Sequence, residues 1–114
     1  MKNPRRGELT LKFGDQKIDG KITLDTIVRI ENSLGYSIVL AMRKISDGNL
    51  TISEIMAILG PVLKAGSEHI EEAELKRLIW ENGIADAMRE VSNILMAALV
   101  AGDQGNAEAE EAPQ

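Results

Sequence analysis

The chain has 114 residues, of which 44% are hydrophobic and 27% charged, and it contains no cysteine. These values predict one folded domain with a modest core, and they exclude both a wholly disordered protein and a disulfide-stabilised one. The formal net charge is −5, with a basic excess over residues 1–44 and an acidic excess over residues 45–114, a polarity that can orient copies or steer a charged partner.

Two alternating segments near the start of the chain predict an antiparallel hairpin. Polar and apolar residues alternate over residues 8–13 and again over 17–24, which is typical of half-buried strands. Gly14 lies between them and can adopt the positive φ of a tight turn. We expect helices, further strands or another chain to cover the apolar face, because two strands alone are marginally stable in water. The residues predicted to share that face are Leu9, Leu11, Phe13, Ile18, Ile22 and Leu24.

Two short helices are predicted next. Thr23 or Asp25 can cap the first, and Gly35 can end it in the left-handed conformation. Ser37 can cap the second, which we expect to end at Gly48. The apolar positions of the first helix, predicted to lie inward, are Leu24, Ile27, Val28, Ile30 and Leu34.

A capping box predicts the start of a third helix. The Thr51 hydroxyl and the Glu54 carboxylate are three residues apart, so each can satisfy one backbone N–H of the first turn. Gly60 and Pro61 lie inside the helical pattern. Because proline removes a donor and clashes one turn back, we expect a kink or a break there.

A fourth helix is predicted over residues 71–81, and a fifth begins at Ile84 with helical spacing of apolar residues and a stop at Gly102. Residues 103–114 are acidic and contain no large apolar side chain, so they predict a flexible tail. The predicted fold class is α+β, with an N-terminal antiparallel β-hairpin over 8–24, four or five short α-helices over 24–102, and a disordered acidic C-terminal tail. The hairpin and helices form a single predicted domain over residues 1–102.

No catalytic, metal-binding or cofactor-binding residue is predicted. The segment 47–54 resembles part of a calcium loop, but the oxygen ligand, glycine and glutamate required at its other positions are missing. His69 is the only histidine, and one imidazole without cysteine is too few ligands for a transition-metal site. Nothing in the sequence provides an activated nucleophile.

A small DNA-binding regulator is an alternative, because the second and third helices have the order of a helix-turn-helix. Its recognition helix lacks cations near its start, and the two arginines Arg5 and Arg6 are a weak signal, so no nucleic-acid partner is predicted. No membrane partner is predicted either. The longest apolar run, 94–101, is much shorter than the roughly 20 residues that span a bilayer, and the basic N-terminus is not followed by the apolar run of a signal peptide.

Several short motifs resemble one family. They are Asn3-Pro4-Arg5-Arg6-Gly7-Glu8, the hairpin, Glu31-Asn32-Ser33-Leu34-Gly35, Gly48-Asn49-Leu50-Thr51, Ile58-Leu59-Gly60 and Leu63-Lys64-Ala65-Gly66. In this order they resemble the small tail protein of gene transfer agents and related tailed phages, a family labelled either tail tube protein or tail assembly chaperone.

The resemblance implies a non-enzymatic protein of the bacterial cytoplasm that contacts the tape measure protein, the tail tube protein or both. Incorporation of this protein in a phage-like particle is compatible with the resemblance. A structural tail tube component is the alternative, and a homo-oligomer is also possible. A tube subunit requires a β-rich ring, whereas this sequence predicts one hairpin, which favours the chaperone. We expect the chaperone to bind its partner in an apolar groove between the third and fifth helices.

The candidate partner interface follows from these apolar faces. Its predicted residues are Leu9, Leu11, Phe13, Ile58, Val62, Leu95, Met96, Leu99 and Val100. For the four residues of the fifth helix, which is apolar all round at this end, burial in the core is the alternative. Arg5 and Arg6 are predicted to be charges at the rim of the interface.

Overall fold

A computed structural model of the chain describes residues 7–66 and 70–111, with side chains described through residue 100. Two β-strands are followed by five α-helices, which confirms the predicted α+β class. The elements are β1 (Glu8–Phe13), β2 (Gln16–Lys21), α1 (Leu24–Leu34), α2 (Ile38–Ser46), α3 (Ile52–Gly66), α4 (Glu72–Asn82) and α5 (Ile84–Glu111).

The strands β1 and β2 pair antiparallel, with Leu11 opposite Ile18. Gly14 occupies the tight turn with φ of 64°, as the sequence predicted. Leu11 and Phe13 are fully buried, so the inner face of the hairpin contributes to the core. Leu24 is 77% exposed and does not share this face, because it is the first residue of α1 and no longer follows the alternation of the strand.

The predicted caps of α1 and α2 are both present. The Thr23 hydroxyl accepts a hydrogen bond from the Thr26 N–H at 3.2 Å, and Gly35 ends α1 with φ of 83°. The Ser37 hydroxyl accepts from the Leu40 N–H, also at 3.2 Å. Local side chains therefore decide where both of these helices begin.

Two predicted inward positions of α1, Leu24 and Val28, are wrong. Val28 is 47% exposed, whereas Ile30 is fully buried. Residues two apart on an α-helix point to nearly opposite sides, so the two cannot both face the core. Only one side of α1 packs inward.

The capping box of α3 is also confirmed. The Glu54 N–H donates to the Thr51 hydroxyl at 3.1 Å, and the Thr51 N–H donates to the Glu54 carboxylate at 2.8 Å. A kink or a break was predicted at Pro61, and the break is absent, because α3 is continuous from Ile52 to Gly66. Fully buried side chains on both sides of Pro61 hold the helix in place despite the lost hydrogen bond; they are Ile58, Leu59, Val62 and Leu63.

The fourth and fifth helices lie within one residue of their predicted starts. Gly83 separates them with φ of 96°. The backbone of α5 continues to Glu111, so the stop predicted at Gly102 is not found at that position. Since residues 103–114 lack large apolar side chains, no hydrophobic packing can stabilise a helix there, and we expect the acidic end of α5 to fray in solution.

Helix α3 lies at the centre of the domain. It contacts β2, α1, α4 and α5. Its C-terminal end approaches β2 closely, at Gly66 and Gly20, while its N-terminal Glu54 binds Tyr36, just after α1. Because α1 follows β2 and precedes Tyr36 in the chain, α1 runs antiparallel to α3.

A single cluster of buried hydrophobic side chains joins the hairpin to the helices. Every helix and the strand β1 contribute buried side chains to this cluster, and β2 contributes the partly buried Ile18. The buried members are Leu11, Phe13, Ile22, Ile30, Ile38, Ala41, Ile55, Ile58, Leu59, Val62, Leu63, Leu75, Leu78, Ile79, Ala87, Val91, Ile94, Leu95 and Ala98.

Candidate interaction site

More than half of the residues predicted for the partner interface lie in the core. Their side chains are fully buried by the rest of the chain; they are Leu11, Phe13, Ile58, Val62 and Leu95. In this conformation they stabilise the domain and offer no surface to a partner. Their apolar character is explained by burial within one chain.

The remaining predicted residues are more accessible. Leu9 and Leu99 are partly buried against the core. Met96 and Val100 are 54% and 47% exposed and lie one turn apart on α5, so they form a small apolar face. Arg5 and Arg6, the predicted rim charges, lie outside the described residues, as does His69.

The groove predicted between α3 and α5 is filled. Ile58 and Val62 of α3 and Leu95 of α5 belong to the same buried cluster, so the facing sides of the two helices pack together. A partner helix could enter there only if the domain opened.

A different groove lies on the outer side of α3. It has a volume of about 540 Å³, and we call it the α3 groove. Its floor is one face of α3, its first wall is α1, and its second wall is the segment leading into α4. The lining residues are Arg29, Asn32 and Ser33 of α1, Ser53, Met56, Ala57, Gly60, Pro61 and Lys64 of α3, and Ile70, Glu71, Glu72 and Leu75 of the second wall.

A second set of small or apolar residues along α3 corresponds to this groove in the sequence. Met56, Ala57 and Gly60 follow helical spacing on α3, outside the stripe that packs the core. A helix that is apolar on two sides either is buried all round or leaves an apolar face for a partner. Only the positions of α1 and α4 show that this second face is recessed and open.

One end of the α3 groove is held by a hydrogen-bonded cluster around Glu54. Its carboxylate accepts hydrogen bonds from the Lys44 ammonium at 2.8 Å, from the Tyr36 hydroxyl and from the Thr51 N–H. The Lys44 nitrogen also lies 4.7 Å from the centre of the Tyr36 ring. The cluster joins the start of α3 to α2 and to the connection after α1.

These contacts shift two pKa values in opposite directions. The hydrogen bond from Lys44, followed by those from Tyr36 and the Thr51 N–H, lowers the pKa of Glu54 from 4.5 to about 2. Burial, followed by the hydrogen bond to Glu54 and its negative charge, raises the pKa of Tyr36 from 10.0 to about 12. The folded protein therefore favours an ionised Glu54 and a neutral Tyr36.

The Glu54 cluster predicts an acid-sensitive contribution to stability. Because the pKa of Glu54 is lower in the folded state, its contribution is present above pH 4.5 and is lost as the pH falls toward 2. We expect Glu54→Gln to be less stable than the wild type at pH 7 and to lose less stability on acidification. Urea denaturation of both proteins at a series of pH values measures this, and parallel pH profiles would contradict it.

A second polar contact joins the hairpin to α5. The Gly14 N–H donates to the Asp86 carboxylate at 3.0 Å, and Arg89 forms an ion pair with Asp86 at 3.1 Å. Arg89 also donates to the Lys12 carbonyl at 3.4 Å. These bonds hold the turn of the hairpin against the first turns of α5 and have no evident ligand-binding geometry.

Other exposed apolar side chains are spread over all five helices. Leu24 and Val28 lie one turn apart on α1, and Val39 and Leu40 are neighbours on α2. Trp80 of α4 is 82% exposed. Within the described ranges, no helix combines the length and hydrophobicity that crossing a membrane requires. The same residues contain no group of three or more acidic, histidine or cysteine side chains placed to hold a metal ion.

Comparison with known proteins identifies the family. The sequence model of a family described as "Phage tail tube protein, GTA-gp10" matches residues 6–101, which include the hairpin, α1 to α4 and most of α5. No curated protein and no solved structure matches the chain. Because the family match extends over most of the sequence, the chain belongs to this family of gene transfer agent and phage tail proteins.

Proposed function

We propose that this protein is a tail assembly chaperone that acts on the tape measure and tail tube proteins during tail morphogenesis. Membership of a tail protein family indicates a structural or assembly role in contact with other tail proteins. Between a structural role and an assembly role, the observation that supports the assembly role is the low content of β-structure. Among residues 7–66 and 70–111, the strands are β1 and β2, and the rest of the regular structure is helical.

A tail tube subunit needs more sheet than this hairpin supplies. The inner face of the hairpin is already covered by the helices of its own chain, since Leu11 and Phe13 are fully buried. A helical protein with exposed apolar positions is better suited to holding helical segments of another protein apart until assembly.

The structural tail tube component is the second candidate. Two observations favour it: the family description names a tube protein, and β1 and β2 form a two-stranded sheet whose outer edges can pair with strands of other copies. On this alternative, copies of the chain form rings through strand pairing.

The two functions differ in where the protein is found. A chaperone is expected to co-purify with the tape measure protein after co-expression, and to be scarce in purified particles compared with the major tube subunit. Quantitative mass spectrometry of the pull-down and of the particles measures both. Abundance in the particle equal to that of a ring-forming subunit, without tape measure binding, would contradict the chaperone and support the tube component.

A further inference from the structure

We propose that the α3 groove is the binding site for one amphipathic α-helix of the partner tail protein. The inference rests on the proposed chaperone function and adds the surface, the shape of the occupant and its direction. Three features of the groove support it, namely the length and form of its floor, its apolar lining, and the charges on its two walls.

The floor of the α3 groove has the dimensions of a helix-binding surface. Its residues run from Ser53 to Lys64 along one face of α3, a distance of about 16 Å at the helical rise. That length accommodates about three turns of a partner helix. Helices α1 and α4 flank the floor on both sides, and a helix lying in a groove uses this arrangement of one floor and two walls.

The residues at the centre of the floor have small side chains and leave open space above them. Apart from its chain neighbours and the nearby backbone of α3, a Cβ atom added at Gly60 would meet no atom within 4 Å, so a notch is present where a partner side chain can insert. Ala57 is the neighbouring floor residue. Small residues at this point allow the backbone of a second helix to approach α3 closely, and the approach increases the packed area.

The lining is apolar where a partner helix would lie deepest. Met56, Ala57 and Pro61 are only partly buried by the chain itself, which leaves apolar area to be covered by a partner. Methionine adapts to an irregular surface because its unbranched side chain has several rotatable bonds. The partner helix is therefore expected to present a central apolar stripe.

The walls carry opposite charges. Arg29 on α1 and Lys64 at the end of the floor form no ion pair within the described parts of the chain, and Glu71 and Glu72 lie on the opposite wall. Glu72 is paired only with the exposed Lys76 at 3.6 Å, a contact of small energetic value. The charges therefore remain available to a partner.

Charge complementarity then sets the direction of the partner helix. Acidic residues beside its apolar stripe would face Arg29, and basic residues on the other side would face Glu71 and Glu72. Turning the helix end for end would place like charges together, which disfavours the reversed complex.

The test compares two glutamate substitutions during co-expression with the tape measure protein. Gly60→Glu places a charged side chain in the notch, and its Cβ meets no neighbour, so the fold is expected to persist. Asn93→Glu makes a similar charge change on the exposed side of α5 and is the matched control. We expect Gly60→Glu to reduce co-purified tape measure protein by about tenfold or more, and Asn93→Glu to leave it unchanged.

The outcomes separate this inference from the proposed function. If the wild type binds the tape measure protein and Gly60→Glu binds equally well, the α3 groove is not the site although the chaperone function stands. If the wild type does not bind it, both proposals are overturned. Thermal unfolding of both variants confirms that each is folded before binding is compared.

A photo-crosslinking residue at Ala57 provides a readout that does not depend on lost binding. Crosslinks from this position to a helical segment of the tape measure protein, identified by mass spectrometry, would support the inference. Crosslinks to a second copy of the chain, or only to the chain's own residues, would overturn it.

Discussion

Replacing Leu95 by alanine is expected to lower the free energy of unfolding by about 2–5 kcal/mol, the range found for large-to-small changes in protein cores. Its side chain is fully buried in the central cluster, so truncation removes packed apolar area and leaves a cavity. The adjacent Met96 is 54% exposed, and Met96→Ala is expected to change the free energy by less than about 0.5 kcal/mol. Urea denaturation monitored by circular dichroism measures both.

This comparison distinguishes a core role from an interface role for neighbouring residues of α5. Both residues were candidates for a partner interface, with burial in the core as the alternative, and the structure places only Met96 at the surface. If Leu95→Ala were as stable as the wild type, the packing of α5 against the domain would be different from that described. If Met96→Ala were strongly destabilising, the exposed face of α5 would be covered by another part of the chain.

Gly66→Ala is expected to have the second largest effect, because the close approach of α3 to β2 leaves no room for a methyl group. The added Cβ would lie 2.5 Å from the Gly20 Cα and 2.7 Å from the Asp19 carbonyl oxygen. These are backbone atoms, so relief requires the strand or the end of α3 to move. We expect a loss of about 1–3 kcal/mol, measured by thermal unfolding as a lower Tm.

Gly60→Ala is the matched control in the same helix. A Cβ at Gly60 meets no neighbour within 4 Å, and alanine is favoured over glycine in a helix interior. The variant is expected to stay within about 0.5 kcal/mol of the wild type, because the gain in helix propensity is offset by the restriction that Pro61 places on the residue before it. Equal losses in the two variants would show that the effect arises from α3 itself and not from its contact with β2.

The two sides of α3 have separate tasks on this interpretation. One side packs the hairpin, α1, α4 and α5 together, and the other forms the floor of the α3 groove. A partner helix bound in the groove would contact α1, α3 and α4 at once. Because a ligand that binds only the folded state stabilises it, occupation of the groove is expected to raise the stability of the whole domain.

The sequence by itself determined the local structure of this protein. The turn at Gly14, the caps at Thr23 and Ser37, and the capping box from Thr51 to Glu54 were all predicted from residues close together in the chain. Such signals are readable because the hydrogen bonds that they form join atoms within one turn. The family motifs were also present in the sequence, and the family match confirmed the predicted kinship.

Only the tertiary structure decided which apolar residues face the core and which face a partner. Leu95, Met96 and Val28 are all apolar residues of predicted helices, but the burial of each side chain depends on which part of the chain lies opposite it. Continuity of α3 through Pro61 likewise depends on packing by distant elements. The α3 groove exists because α1 and α4 flank α3, and residues far apart in the chain create that arrangement through the shared core.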